Sequence, residues 1–474
     1  MKSPLIKKHL FLFILAICIV PIRVKAYGIL THEAVVDASW EKSIKPLLKS
    51  RFPGTTDADL LIAHSYAYGG SLMADIGYSP YGSVYFTNLV HYVRSGDYVS
   101  NLISESQNLN EFAFALGAMC HYMADRYGHS IGTNLVVPMV YPKIEEKFGK
   151  VVTYEEDHIS HSRVEIAFDV LQIARGNYAS QAYHDFIGFN VAKPVLERAF
   201  MKTYGEDLNN VFGNLDKSIN NFRWAVNSLM PVITRSAWEL KKNEIKKTTP
   251  GITSRKFNYR MHRKKYFAEF GSDLDRPKFK ERLIAFFLRI VPKVGPFRIF
   301  RFKEVDQKGE KQFIKSFDTV LARYATALTQ LDYKIPKLPN IDFDTGNETV
   351  YGEYELTDKT YDDLIDHLDQ NKFTDMTAPL KKNIISFYSK ADTTALAKYD
   401  PSGWKKTSTT LKKIEITPPV PSDSLKITPT PVEKTAIKAA DKVDKAADKA
   451  AEKATDKTDK AADKADKAAE KSKP

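Results

Sequence analysis

At 474 residues the chain is longer than one ordinary domain and can bury a large core, and 43% hydrophobic with 12% aromatic content is a globular composition. The net charge of +12 is concentrated in a few stretches, so by itself it does not mark a nucleic-acid binder. Of the two cysteines, Cys18 falls in a removable leader, which excludes a disulfide within the mature chain.

The leader is residues 1–26. Lys2, Lys7 and Lys8 make a positive start, Leu10 to Val20 an apolar core, and Val24-Lys25-Ala26 a small-residue cleavage site before Tyr27. The apolar run is too short for an ordinary spanning helix, so the mature chain is expected to have no transmembrane helix and to be secreted or periplasmic. Ile17 is too bulky ahead of Cys18 for a good lipoprotein signal.

Residues 27–247 read as one helical domain that holds eight of the eleven histidines. Thr31 is expected to cap a helix to about Leu48, and Thr56 or Asp57 the next, Leu60 to Ala74. After a Gly/Pro turn at 77–82 come helices over Val84 to Val93, Leu109 to Tyr127, Tyr154 to Arg175 and Leu215 to Lys247. No alternating strand pattern competes. Gly69-Gly70 is an isolated pair and no phosphate loop.

Residues 248–400 begin with basic stretches. Arg276 to Lys303 interleaves bases with Phe286, Phe287 and Leu288, a pattern suited either to an anionic membrane surface or to a helix packed on the first domain. Helices are expected at Gln312 to Leu331 and Tyr361 to Leu368, with no nameable chemistry between 304 and 400. Residues 401–433 read as a Pro-rich linker. The tail, 434–474, is a degenerate Ala-Ala-Asp-Lys repeat, a solvated helix or a disordered segment that offers contacts to the cell envelope. Its acids nearly cancel its lysines, which argues against nucleic acid as a partner.

The chemistry centres on 112–129, an apolar helix that carries His121, Asp125 and His129 at spacings of four. Such residues share one face. Buried there, two imidazoles and a carboxylate need partners: hydrogen bonds within a core, or a metal, with Zn2+ suited to mixed nitrogen and oxygen. A second helix repeats the spacing at His161 and Glu165, and His32, Asp75 and His91 add further candidates. Cys120 points elsewhere on its helix and reads as core; His64 and His184 read as structural.

Tyr27-Gly28-Ile29-Leu30-Thr31-His32, Met73-Ala74-Asp75-Ile76, Asn88-Leu89-Val90-His91, His121-x-x-x-Asp125-x-x-x-His129 and His161-x-x-x-Glu165 together resemble the zinc-dependent phospholipase C family, which includes bacterial phospholipases C and the N-terminal domain of glycosylphosphatidylinositol-specific phospholipase D. The resemblance implies an all-α domain with a trinuclear zinc cleft, and two to three zinc ions are expected in the chain. Asp75, His91, His121 and Asp125 would hold one. A second would take the amino group and carbonyl of Tyr27 with His32, bridged by Asp125, and a third His129, His161 and Glu165. His158 is the alternative to His161, but only His161 pairs with Glu165 on one face. Two departures stand out: Tyr27 replaces a common Trp, and Asp125 and His129 lie closer in sequence than in the small bacterial enzymes.

Zinc at such a site would activate water for attack on phosphorus, with the carboxylate of Asp75 the catalytic candidate that steers the water or takes its proton. The expected function is a phosphodiesterase acting on a phospholipid or membrane surface. Its rivals are a single-strand zinc nuclease and a non-catalytic, zinc-stabilised envelope-binding protein.

Overall fold

The computed structural model describes residues 28–79, 81–175, 189–248, 250–254, 302–331, 333–394, 396 and 401–425. Tyr27, the leader, His184, the Arg276 to Arg301 part of the basic–aromatic segment and the Ala/Lys/Asp tail lie outside them. The chain divides into two units at Leu425, and the second, Lys426–Pro474, is wholly outside the described residues.

The described residues form helices and no strand; a lone bridge joins Thr377 and Val420. The helix at the centre, α6 (Leu109–Gly128), starts where the Asn108 side chain accepts from the Glu111 amide. From Glu111 to Asp125 every residue is buried, because α6 has neighbours on all sides. These are α1 (Ile29–Ser39), α2 (Lys45–Arg51), α3 (Asp57–Met73), α5 (Ser95–Glu105) and, from far along the chain, α13 (Gln307–Gln330). An all-round apolar helix is stable only in such a place.

The closest packing is between α3 and α6. A Cβ on Gly70 would fall 1.9 Å from the Phe114 carbonyl oxygen, and one on Gly117 would fall 2.0 Å from that of Ala67. The two backbones touch there, and any side chain would force them apart. Gly69 is equally committed, with the Asn190 carbonyl 1.8 Å from where its Cβ would stand. The glycine pair is therefore a helix crossing. The start of α3 is fixed by a reciprocal cap, in which Thr56 Oγ1 accepts from the Asp59 amide while Asp59 accepts from that of Thr56.

Around this core lie α4 (Val84–Tyr92), α7 (Asn134–Val140), α8 (Pro142–Phe148), α9 (His158–Arg175), α10 (Lys193–Tyr204), α11 (Leu208–Phe212) and α12 (Leu215–Thr248), the last kinked at Lys241. The Asp157 carboxylate caps α9 by accepting from the Ser160 amide. Helix α1 begins at Ile29, ahead of the expected Thr31 cap. The reason is a carboxylate supplied from α9: Asp169 accepts from the Leu30 amide and from Thr31 Oγ1, so Thr31 sits inside the first turn.

The residues after 302 pack on this domain. Tyr324 of α13 donates to the Leu116 carbonyl at 2.8 Å. Beyond α13 a non-helical strap, 338–347, crosses the N-terminus of α5, where Ser95 Oγ donates to the Ile341 carbonyl and accepts from its amide. Tyr122 of α6 donates to the Pro339 carbonyl. Then follow α14 (Glu355–Gln370), α15 (Ala378–Tyr388) and α16 (Pro401–Ile416). Residues 401–416, read from sequence as part of a linker, are thus helical. Pro401 opens the helix, where its missing N–H costs nothing. Among the described residues no helix is long and apolar enough to cross a membrane.

Candidate metal centre

Helix α6 projects His121 and Asp125 from one face, and its wider continuation at His129–Thr133 adds His129. Asp125 is the hub. Its Oδ2 lies 3.1 Å from His121 Nε2 and 3.5 Å from His91 Nε2; its Oδ1 lies 3.3 Å from His32 Nε2 and 3.9 Å from His129 Nε2. Asp75 Oδ1 is 3.4 Å from His91 Nε2. On the far side Glu165 Oε1 is 3.5 Å from His129 Nε2 and 2.9 Å from His161 Nδ1. All eight of these residues are buried. The structure therefore brings together every described residue singled out from sequence. His161 points inward and His158 is exposed. His64 stands apart, stacked on Trp40 and bonded to Asp37. Cys120 is buried among apolar residues, its thiol turned to the His32 carbonyl, and burial pushes that thiol well above its usual range.

The rings are oriented from behind. His91 Nδ1 meets the Thr87 carbonyl at 2.8 Å, His121 Nδ1 that of Ser71 at 2.8 Å, and His129 Nδ1 that of Phe343 at 3.2 Å. A carbonyl only accepts, so each Nδ1 carries a hydrogen, and each ring, once neutral, turns the Nε2 lone pair toward the carboxylates. His161 is reversed. Asn134 donates its Nδ2 to the Asp344 carbonyl, which leaves its Oδ1 to accept from His161 Nε2 and turns the Nδ1 lone pair toward Glu165.

Lone pairs of nitrogen thus face lone pairs of oxygen in the buried interior. His91 Nε2, His121 Nε2 and both oxygens of Asp75, Asp125 and Glu165 have no hydrogen-bond partner. Such an arrangement needs a cation or protons between the groups. Two overlapping sets, His32–His121–Asp125 and Asp75–His91–His121, have their donor atoms within 4.8 Å of one another. The donor set fits zinc, and it fits more than one ion.

The charges respond to this crowding. Burial works against ionised Asp125, but the His121 and His129 charges outweigh it and hold the carboxyl well below its ordinary range. Burial alone would lower His121; Asp125 and then Asp75 raise it to about 9. His32 is lowered by burial and by the neighbouring His121. Burial pushes Glu165 up to about 8 against the pull of His129. A bound cation would displace these protons.

Three contributors were missed in the sequence. Asp169 continues the spacing of His161 and Glu165 by a further four residues, and that signal was readable. It fixes the start of α1, hence His32; Gly28 makes room, since a Cβ there would lie 2.4 Å from Asp169 Oδ1. Asn134 and the strap pair Phe343–Asp344 carried no local signal, because their roles depend on contacts with distant residues.

A helical domain with a buried, multi-carboxylate histidine centre has the build of a metal-binding protein. Residues 31–214 match the family described as zinc dependent phospholipase C. The match stops before α13 and the strap. No curated protein and no solved structure matches.

Proposed function

We propose that the protein is an exported zinc-dependent phosphodiesterase that cleaves phospholipid-like substrates. The observation that carries the reading is the set of unpartnered atoms that His91 and His121 turn toward Asp75 and Asp125, inside the stretch that matches the zinc dependent phospholipase C family.

In this reading Asp75, His91, His121 and Asp125 hold one zinc, and Asp125 also serves a second, with His32 and the amino group and carbonyl of Tyr27. His129, His161 and Glu165 hold a third. Removal of residues 1–26 frees the Tyr27 amino group. When bound, zinc supplies Lewis acidity toward a phosphoryl group and strengthens water as an acid. The chain does the rest. The carbonyls of Thr87, Ser71 and Phe343 fix which nitrogen of each ring faces inward. Asp75 has no hydrogen-bond donor on either oxygen, so one oxygen is left to orient a water or accept its proton.

Protein starting at Tyr27 should hold roughly two to three zinc ions per chain and hydrolyse phosphatidylcholine vesicles and soluble chromogenic phosphodiesters. Absence of zinc after reconstitution would overturn the reading. Cleavage of single-stranded DNA or RNA with none of phospholipid would reassign the centre to a nuclease, and zinc without any cleavage to a binding protein. Sequencing the exported protein should give Tyr27 first.

A further inference from the structure

The third site, in the reading just given, has two nitrogen ligands that enter with opposite tautomers, His129 through Nε2 and His161 through Nδ1. Both are set from behind by the same two residues. The Phe343 carbonyl accepts from His129 Nδ1 at 3.2 Å, and Asp344 Oδ1 stands 3.7 Å from that nitrogen. The Asp344 carbonyl accepts from Asn134 Nδ2 at 2.7 Å, and this contact orients Asn134 Oδ1 onto His161 Nε2.

The pair is itself rigidly held. Asp344 Oδ2 accepts from the hydroxyls of Tyr92 at 2.8 Å and Tyr354 at 2.7 Å. The Phe343 amide donates to the His91 carbonyl, and its ring lies 5.1 Å from the His91 ring. Both residues are buried, and both come from the strap beyond the family match. A carbonyl that accepts from the outer nitrogen of a ligating imidazole fixes the ring, and a carboxylate charge close behind that nitrogen makes the inward nitrogen a better donor.

We infer that Phe343 and Asp344 are the positioning element of the third metal site: their carbonyls orient His129 and, through Asn134, His161, and the Asp344 carboxylate supplies a negative charge 3.7 Å behind His129. The centre is therefore completed by the C-terminal extension and is not confined to the part that matches the family. This rests on the zinc reading above.

The test measures zinc by chelator competition, and cobalt(II) spectra of the substituted protein, in the full mature chain. Asp344→Asn keeps an oxygen for the two tyrosines and removes the charge. It should weaken one ion by about 10–100-fold, as loss of an outer carboxylate does, and shift one cobalt band while the others stay. Asn134→Ala, which breaks the link to His161 and leaves Asp344 intact, should loosen the same ion. Equal affinity for every ion in both variants would overturn the inference. So would a uniform loss that tracks a fall in melting temperature, which marks a merely structural strap. Should Asp344→Asn not fold, Asn134→Ala decides alone by the same criterion. A parent protein without zinc would sink the zinc reading and this inference together; a zinc-loaded parent with indifferent variants would sink only this one.

Discussion

Two groups of acids in this molecule look alike by residue type and differ in what faces them. Asp75, Asp125 and Glu165 are buried beside imidazole lone pairs and receive no hydrogen bond. Asp342 and Asp344, in the strap, are equally buried, but donors surround them. Asp342 accepts from the amides of Asp344 and Thr345 and from Thr357 Oγ1, and Asp344 from two tyrosine hydroxyls. Half-buried Asp362 likewise takes the hydroxyls of Tyr388, Thr407 and Tyr351. Burial alone therefore does not mark a ligand. What sets a candidate ligand apart is burial with every donor withheld, which leaves its oxygens for a cation or a proton.

The sharpest way to break this contrast is Asp125→Asn. It removes the carboxylate that the proposed reading shares between two zinc sites, so metal analysis should show at least one zinc lost and phosphodiesterase activity should fall by more than about 100-fold, beyond an outer-contact effect. Zinc should raise the melting temperature of the parent, by the equivalent of about 4 kcal/mol at a thousand times the dissociation constant, and do little for the variant. In the other group, Asp362→Ala should cost about 1–3 kcal/mol in denaturant unfolding, because three hydroxyls lose their acceptor, while zinc content stays unchanged. A loss of zinc there would blur the two groups.

Asp169 lies between them, buried yet served by two donors. Burial raises its carboxyl to about 7 against the pull of Thr31 and Leu30. The folded state thus holds this proton more tightly than the unfolded chain, with its ordinary value near about 3.9, and stability is lost as pH rises from there through about 7. Asp169→Asn should flatten that slope in thermal melts and gain on the parent as pH approaches neutrality. The smallest effect is expected at His367, whose pKa is raised chiefly by its contact with Glu206. That contact stabilises below about pH 6.5 and fades as pH rises through the elevated value. The ring is 44% exposed, so His367→Gln should cost only about 0.5 kcal/mol at pH 5.5 and nothing at pH 9.

Local rules carried the sequence reading a long way. The spacing of His121, Asp125 and His129 placed three polar groups on one face of a helix whose other residues are apolar, and the Thr56 cap and most helix spans followed from local pattern. The errors came from partners far along the chain. Thr31 looked like a cap because nothing local reveals that Asp169, 138 residues away, takes that role. Gly69 and Gly70 looked isolated because their partners, Asn190 and Phe114, lie on other elements. Residues 338–347 lacked periodicity because a strap has none, and its carboxylates acquire meaning only against His129 and the tyrosines.

The crossing of α3 and α6 at Gly70 and Gly117 sets a dimension as well as a contact. Just beyond it the Ser71 carbonyl reaches across to His121 Nδ1, and one turn further α3 ends near Asp75. In most helices glycine is a weakness, worth about 1 kcal/mol each to replace with alanine. Here an added methyl would act as a wedge, widening the gap between a carboxylate on one wall and an imidazole on the other. The usual route to a sturdier protein is therefore closed at these two positions, and in the proposed reading the tolerance for drift there is set by the radius of an ion.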